Sequence, residues 1–587
     1  MEKAKLKRLI DIAAGRVPAD MVIKNCRVID VYNASIIDGN IALCEDLIAG
    51  IGEYEGVAEI DAMGQYAAPG FIDSHIHVES SYVSPEELGR LIVPHGTTTI
   101  IADAHEIANV CGVGGLDYMT AASGGTALDI KWMLPSCVPA TPLDRSGAVI
   151  DAQLIGKILS SDQFLGLGEF MDYQGVIGAN DALLDKLIAA KKQGKLIDGH
   201  SPGITDYAMN AYAAAGIRTE HECSTVSEML DRLSRGMYVL LREGSACHDL
   251  RTLLKGVTPQ NSRHCLLCTD DCQPRTIISL GHLDNHLRIC VEEGIDPLTA
   301  IQMASLNAAE CYGLRDRGAV APGLRADIVL FNNLKDFKVQ RVLIEGRETA
   351  FNGNYSLPVT HYDSSLTKGR FNVKDFSGEK LRLIINSSKA HIIRIRPGGV
   401  VTSKETAPVK RDEYGEFVYE PGKDIVKMAV VERHRNSGNV AVALLAGYGI
   451  SQGAIAISIA HDSHNIIVVG VNEEDMTFAV QQLIQQGGGI ILVKERQILE
   501  SMPMPIAGLM SDQTGEWVDK KLAHIHEISH NLLGISKEVE PVMTLCFMSL
   551  SVIPELKLTE LGLYDVTASK LIAIEADAGT DAVSPGG

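Results

Sequence analysis

Two histidines one residue apart, His75 and His77, close a short apolar run, "PGFIDSHIH", that begins at a Pro-Gly turn. A strand alternates its side chains between two faces, so both imidazoles leave on one side while Ile76 faces the other. Two same-facing imidazoles can hold one metal ion. The same residue types recur at the ends of later apolar runs: Glu106 after "TTTIIADAH", Glu169 in "FLGLGEFMD", His200 in "GKLIDGHSPG", His221 in "RTEHEC" and Asp270 in "HCLLCTDD". A lone His-x-His is better explained by one hydrogen-bonded core histidine and one exposed one. Four histidines and several carboxylates at one end of successive strands are another matter. They make a ligand set for two borderline divalent cations, because imidazole and carboxylate suit Zn, Mn and Fe. Two such ions about 3.5 Å apart can share a hydroxide as nucleophile, so hydrolysis is the chemistry to expect.

Positioning these residues needs strands that all end on one side. With "DIKWMLPSCV" and "MYVLLREGS" the runs between 70 and 312 number eight, separated by helix-like stretches. Eight βα units in about 240 residues match a (β/α)8 barrel of the TIM type, whose active site lies at the C-terminal ends of the strands. Residues 1–69 and 313–354 alternate short apolar runs with glycine turns, and we expect them to pair as a small β-sandwich into which the barrel is inserted. A polar stretch without a clear period, 355–383, reads as a linker. From 384 to 587 the strand patterns "AVALLAGYGI", "GAIAISIAHDSHNIIVVGV" and "GGGIILVKERQ", with the amphipathic "EEDMTFAVQQLIQQG", predict a separate C-terminal α/β domain ending in a loose tail, "ADAGTDAVSPGG".

Composition narrows the partners. Lys and Arg number 53 against 74 Asp and Glu, a formal charge of -21, which disfavours nucleic acid or an anionic membrane and leaves a small neutral substrate. "MEKAKLKRLIDIAAGR" has no long apolar segment, and no run of 18 uncharged apolar residues follows, so a cytoplasmic protein is expected. Twelve irregularly spaced cysteines suit reduced thiols.

The His-x-His, the single histidines after the fifth and sixth strands and the Asp after the eighth resemble the amidohydrolase superfamily. "FIDSHIHVESS", "ADAHEIANVCG", "GEFMDYQGVI", "DGHSPG", "LREGSA", "LCTDD", "AHDSHNI" and "PIAGLMS" are similar, in order and over nearly the whole chain, to segments of its adenine deaminases. That resemblance implies hydrolysis of adenine to hypoxanthine and ammonia, as in purine salvage, by a homodimer or larger homo-oligomer with two divalent ions, Mn2+ first and Fe2+ or Zn2+ next. It implies His75, His77, His200, His221 and Asp270 as ligands, Glu169 as proton donor to ring N1, and Asp270 as proton shuttle from water to the leaving amine. The fourth strand carries Glu169 where the wider superfamily often has a carbamylated lysine. A glutamate must then bridge the metals, and Glu106 and Glu169 compete for that place. With Glu169 assigned to N1, Glu106 is left as the bridge.

Other residues are open to two readings. His264, Cys265, Cys268 and Cys272 suggest a zinc site, but the partner motif of the small zinc deaminases is absent, and strand-8 cysteines are better read as barrel lining. His282 and His286 share a helix face and are expected at the surface or facing a loop, although His282 is near enough to strand 8 to approach a substrate, as is Asp271. His461 and His464 of "AHDSHNI" belong either to a surface turn or to a loop that closes over the barrel mouth and touches substrate. A metal-dependent amidase of the dihydroorotase, hydantoinase or deacetylase kind is the alternative enzyme, which the strand-4 glutamate and the C-terminal domain disfavour. A metal-free scaffold would not need these ligands.

Overall fold

The computed structural model describes residues 2–141, 144–396 and 400–576; the expected tail lies outside them from 577 onward. Eight parallel strands form the barrel: Phe71–His77, Thr97–Asp103, Asp129–Leu134, Gly166–Phe170, Leu196–Gly199, Thr219–Glu220, Tyr238–Arg242 and Cys265–Cys268. Strands one to five form one ladder and six to eight another. The Arg218 amide donates to the Ile197 carbonyl across one seam. Asp270–Asp271, just past the eighth strand, pairs with Ile76 and His77 across the other. Thr97–Asp103 and Phe71–His77 are buried along their whole length, which is why these strands read as unbroken apolar runs. Helices between them are capped locally: Asn180 accepts from the Ala182 amide, and Thr225 and Glu228 form a reciprocal capping box.

The two flanking pieces meet in a single nine-stranded sheet. Ile328–Phe331, from the later piece, pairs antiparallel with Tyr66–Pro69, from the earlier one. Ile23, Ile41, Leu43, Ile328, Leu330 and Leu343 share one apolar core beneath it. The chain therefore leaves this sheet at Pro69, builds the barrel, and returns.

Residues 355–383 are an anchored strap and not a free linker. The Tyr355 hydroxyl accepts the Ala127 amide at 2.9 Å, and Phe371, Val373 and Phe376 pack on the C-terminal core. Four anchors so spaced leave no period to read. Beyond them an eight-stranded sheet runs in the order Thr402–Pro408, Lys389–Ile395, Val440–Ala446, Ile425–Val431, Ile466–Gly470, Ala454–Ile457, Gly489–Lys494, Gln497–Pro503. Helix Glu473–Gln485 lays Met476, Ala479, Val480 and Leu483 against it, with three acidic residues in its first turn where the helix dipole favours them. One continuous apolar cluster joins Ile76 and Phe170 of the barrel to Ile457, Met504 and Leu522 of this region. The C-terminal region is thus seated on the barrel.

Candidate active site

The histidine pair shows how the local fold aims its donors. His75 Nδ1 lies 3.2 Å from Asp198 Oδ2 and His77 Nδ1 3.1 Å from the Asp103 carbonyl, so each ring gives its Nδ1 proton outward. Both Nε2 lone pairs then point inward, and these two atoms are 3.1 Å apart. Two acceptor nitrogens converging in a buried place call for a cation. Asp270 Oδ1 completes this group, 3.2 Å from His77 Nε2 and 4.0 Å from His75 Nε2.

Asp270 itself is held from three sides. Its backbone is left-handed, φ 61°, a conformation that Asp tolerates better than most residues. The preceding Thr269 is clamped by Asp73, which accepts its amide at 3.1 Å and its hydroxyl at 2.6 Å. Arg242 Nη1 donates to Asp270 Oδ2 at 2.8 Å and to Glu222 Oε1 at 2.6 Å. Burial alone would raise the Asp270 pKa, but His77 and Arg242 outweigh it and hold the carboxyl well below the usual range. For Asp271, burial and the neighbouring Asp270 charge push the pKa up; the Ser80 hydroxyl donates to it.

Glu169 stands between two sets of histidines. Its Oε1 is 3.3 Å from His77 Nε2 and 3.4 Å from His105 Nδ1. Its Oε2 is 2.8 Å from His200 Nδ1 and 3.3 Å from His221 Nε2. Burial opposes its ionisation, but the histidines, His200 first, hold its pKa well below the ordinary carboxylate value. Gly168 makes this placement possible: a Cβ there would meet Asp103 Oδ2 at 1.9 Å, and that oxygen accepts the Glu169 amide at 2.9 Å.

Glu106 lies elsewhere. One oxygen meets His461 Nδ1 at 2.5 Å and the other His464 Nε2, with His105 Nε2 at 3.4 Å. The expectation that Glu106 is the metal bridge therefore does not match the geometry, in which Glu169 faces both histidine sets and Glu106 faces the C-terminal region. A carboxylate with both oxygens so engaged also has none free for N1, which counts against the proton-donor role expected of Glu169.

A cavity of about 110 Å3 opens over these groups. Glu169, Asp270, Asp271, His77, His200 and His221 line its floor, while Val400, His461, Asp462, Phe547, Leu550 and Ile553 form its roof. The "AHDSHNI" segment is thus the loop over the barrel mouth, with His461 stacked on Phe547 at 4.8 Å between ring centroids. His464 walls a smaller adjacent cavity. His282 reaches neither: it is buried beneath the site, its Nδ1 2.8 Å from the Thr97 hydroxyl and its Nε2 3.3 Å from Asp73. His286 is buried as well, between the His282 and Cys268 carbonyls. Neither lies at the surface, because their helix packs that face on the eighth strand. Cys265, Cys268 and Cys272 are buried free thiols, and His264 stacks on Tyr238.

Reading the strand ends missed His105, Glu222 and Arg242, all on the cavity wall. The first two sit directly beside predicted residues, in "AHE" and "HEC"; adjacency was the available signal. Asp73 and Asp198 carried none, being single carboxylates inside apolar runs.

Comparison with known proteins fits this division. Residues 66–349 match the amidohydrolase family, and residues 399–570 match the adenine deaminase C-terminal domain. "Adenine deaminase 2" of Desulfotalea psychrophila is 65% identical over 98% of this chain and 100% of its own length. The chain belongs to the adenine deaminase family. "Adenine deaminase" of Ligilactobacillus salivarius is 50% identical over 98% of this chain and all of its own. For Nitratidesulfovibrio vulgaris the "Adenine deaminase" is 47% identical over 96% and 97%. Membership implies divalent metal, and the residues present fit one: besides the converging histidine nitrogens, buried His200 Nε2 and His221 Nδ1 lack hydrogen-bond partners among the described residues. No described helix is long and apolar enough to cross a membrane.

Proposed function

We infer that this protein hydrolyses adenine to hypoxanthine and ammonia. One observation carries the reading: a compact cavity has amidohydrolase-type donors as its floor and, as its roof, a domain that matches the adenine deaminase C-terminal domain. In this proposal His75, His77 and Asp270 would hold one divalent ion and His200 and His221 a second, with Glu169, which faces both histidine sets, also offering its carboxylate; Mn2+ is the expected metal, with Fe2+ or Zn2+ able to take the same donors. Such ions supply the Lewis acidity that makes a nucleophile of water near neutral pH. Asp270 Oδ1, turned toward His77 while Arg242 holds Oδ2, takes the proton of the attacking water and passes it to the amine leaving C6. Arg242 thereby fixes which oxygen moves the proton. His461 and Phe547 close the roof over the purine plane, and their packing with Leu550 and Ile553 excludes bulk water.

Purified protein reloaded with Mn2+ and given adenine should release ammonia and hypoxanthine in equal amounts. Turnover of dihydroorotate or a hydantoin, with none of adenine, would overturn the assignment in favour of a cyclic amidase.

A further inference from the structure

Glu106 sits in the first turn of helix His105–Cys111, just after the second barrel strand, without joining the ligand set of Glu169, so its partners need another account. One donor atom from each of Glu106, His461 and His464 lies within 4.8 Å of the others. They come from two regions: Glu106 from the barrel, and both histidines from the loop that the C-terminal domain lowers over it. None of them is required by the inferred pair of ions. Beside them is a second cavity of about 10 Å3, room for about one water or one ion. Glu79 forms part of its wall. The Ile107 amide donates to Glu79 Oε1 at 3.1 Å, whereas Oε2 is buried and has no partner among the described residues. A buried carboxylate oxygen left unpaired is costly, and here a second carboxylate and two imidazoles share the same small space.

We propose that Glu106, His461 and His464 hold a third divalent cation, with Glu79 Oε2 completing its surroundings across the cavity. Two imidazoles with carboxylate oxygens suit Mn2+, Fe2+ or Zn2+ better than Ca2+ or Mg2+. The ion would tie the roof loop to the barrel, because its ligands come from both regions. It is distinct from the pair below Asp270, with which it shares no ligand.

The test counts metal in the full-length protein, stripped with chelator, reloaded with excess Mn2+ and desalted. Three ions per chain are expected for the wild type, two for His464→Gln, and a third ion lost at lower chelator concentration for Glu79→Gln. The readout is the difference between wild type and variant, so a failure of the inferred barrel pair would lower both counts alike and leave that difference of one. Crystals of the Mn2+-loaded wild type, measured at the manganese absorption edge, do not depend on how any variant folds. They should show an anomalous peak among Glu106, His461 and His464. Absence of that peak, or equal metal counts in wild type and His464→Gln, would overturn the third site and leave a hydrogen-bonded cluster.

Discussion

At the scale of single residues, the separation of Asp270 from Glu169 makes two substitutions informative. Asp270→Asn keeps the volume and one carbonyl oxygen but removes the basic oxygen facing His77. Loss of a general acid–base group costs roughly 10² to 10⁴-fold in rate, so kcat on adenine should fall by that order while metal content, measured on the same sample, stays near the wild-type value. Asp271→Asn should be milder, because Asp271 is held by Ser80 and not by the histidine set. An Asp270→Asn enzyme of near-normal kcat and full metal would move the proton shuttle elsewhere. Glu169→Gln separates two roles. If Glu169 lies between the ions, the variant should lose metal as well as activity, since an amide offers one neutral acceptor where two anionic oxygens now face four histidines. Retention of both ions with a collapsed kcat would return Glu169 to proton donation at N1.

At the scale of elements, the roof is built from pieces far apart in sequence, and Lys557 joins them. Its ammonium group is buried and donates at 2.9 Å to the carbonyls of Val400 and Phe547, both roof residues. Burial pulls its pKa down to about 7, against about 10.4 in an unfolded chain. The folded value is the lower one, so between pH 7 and 10 the unfolded chain binds the extra proton and stability rises with pH through that window. Below pH 7 both states are protonated and the penalty is constant. Denaturant unfolding of wild type and Lys557→Met at pH 7, 8 and 9 should therefore show the wild type gaining on the variant as pH rises; a flat difference would mean that the lysine is charged where it sits. Nothing in "ELKLTE" announces such a lysine, because an apolar alternation with one basic residue ordinarily places that residue in water. The barrel strands were legible for the opposite reason. Parallel strands buried on both faces read as apolar runs, and the polar residue that ends each run marks the mouth. What these ends meet was not legible: Asp198 behind His75, Asp73 behind Thr269 and Arg242 between Glu222 and Asp270 are contacts between strands, and no local period encodes them.

At the scale of the whole molecule, the site is divided between a barrel that supplies reactive groups and a C-terminal region that supplies the roof, and substrate size should follow from that division. The apolar cluster continuous from Ile76 and Phe170 to Met504 and Leu522 seats one part on the other, so the roof is held by core packing and Val400, Phe547, Leu550 and Ile553 stay close to the floor. The cavity between them is about 110 Å3, small beside the several hundred Å3 of ordinary ligand pockets. A free purine base has a plane to slide beneath Phe547 with C6 turned toward Asp270. A nucleoside must also place a ribose at N9, on the side away from C6, where the roof would have to lift and expose apolar surface. Adenine should therefore be processed with kcat/KM at least about a hundredfold above adenosine, which corresponds to roughly 3 kcal/mol of lost transition-state stabilisation. Phe547→Ala should narrow that ratio by opening the roof, raising KM for adenine more than it lowers kcat, since Phe547 belongs to the roof and not to the floor groups around Asp270. Equal kcat/KM for base and nucleoside in the wild type would show that the roof opens during turnover and that specificity is set on the barrel floor.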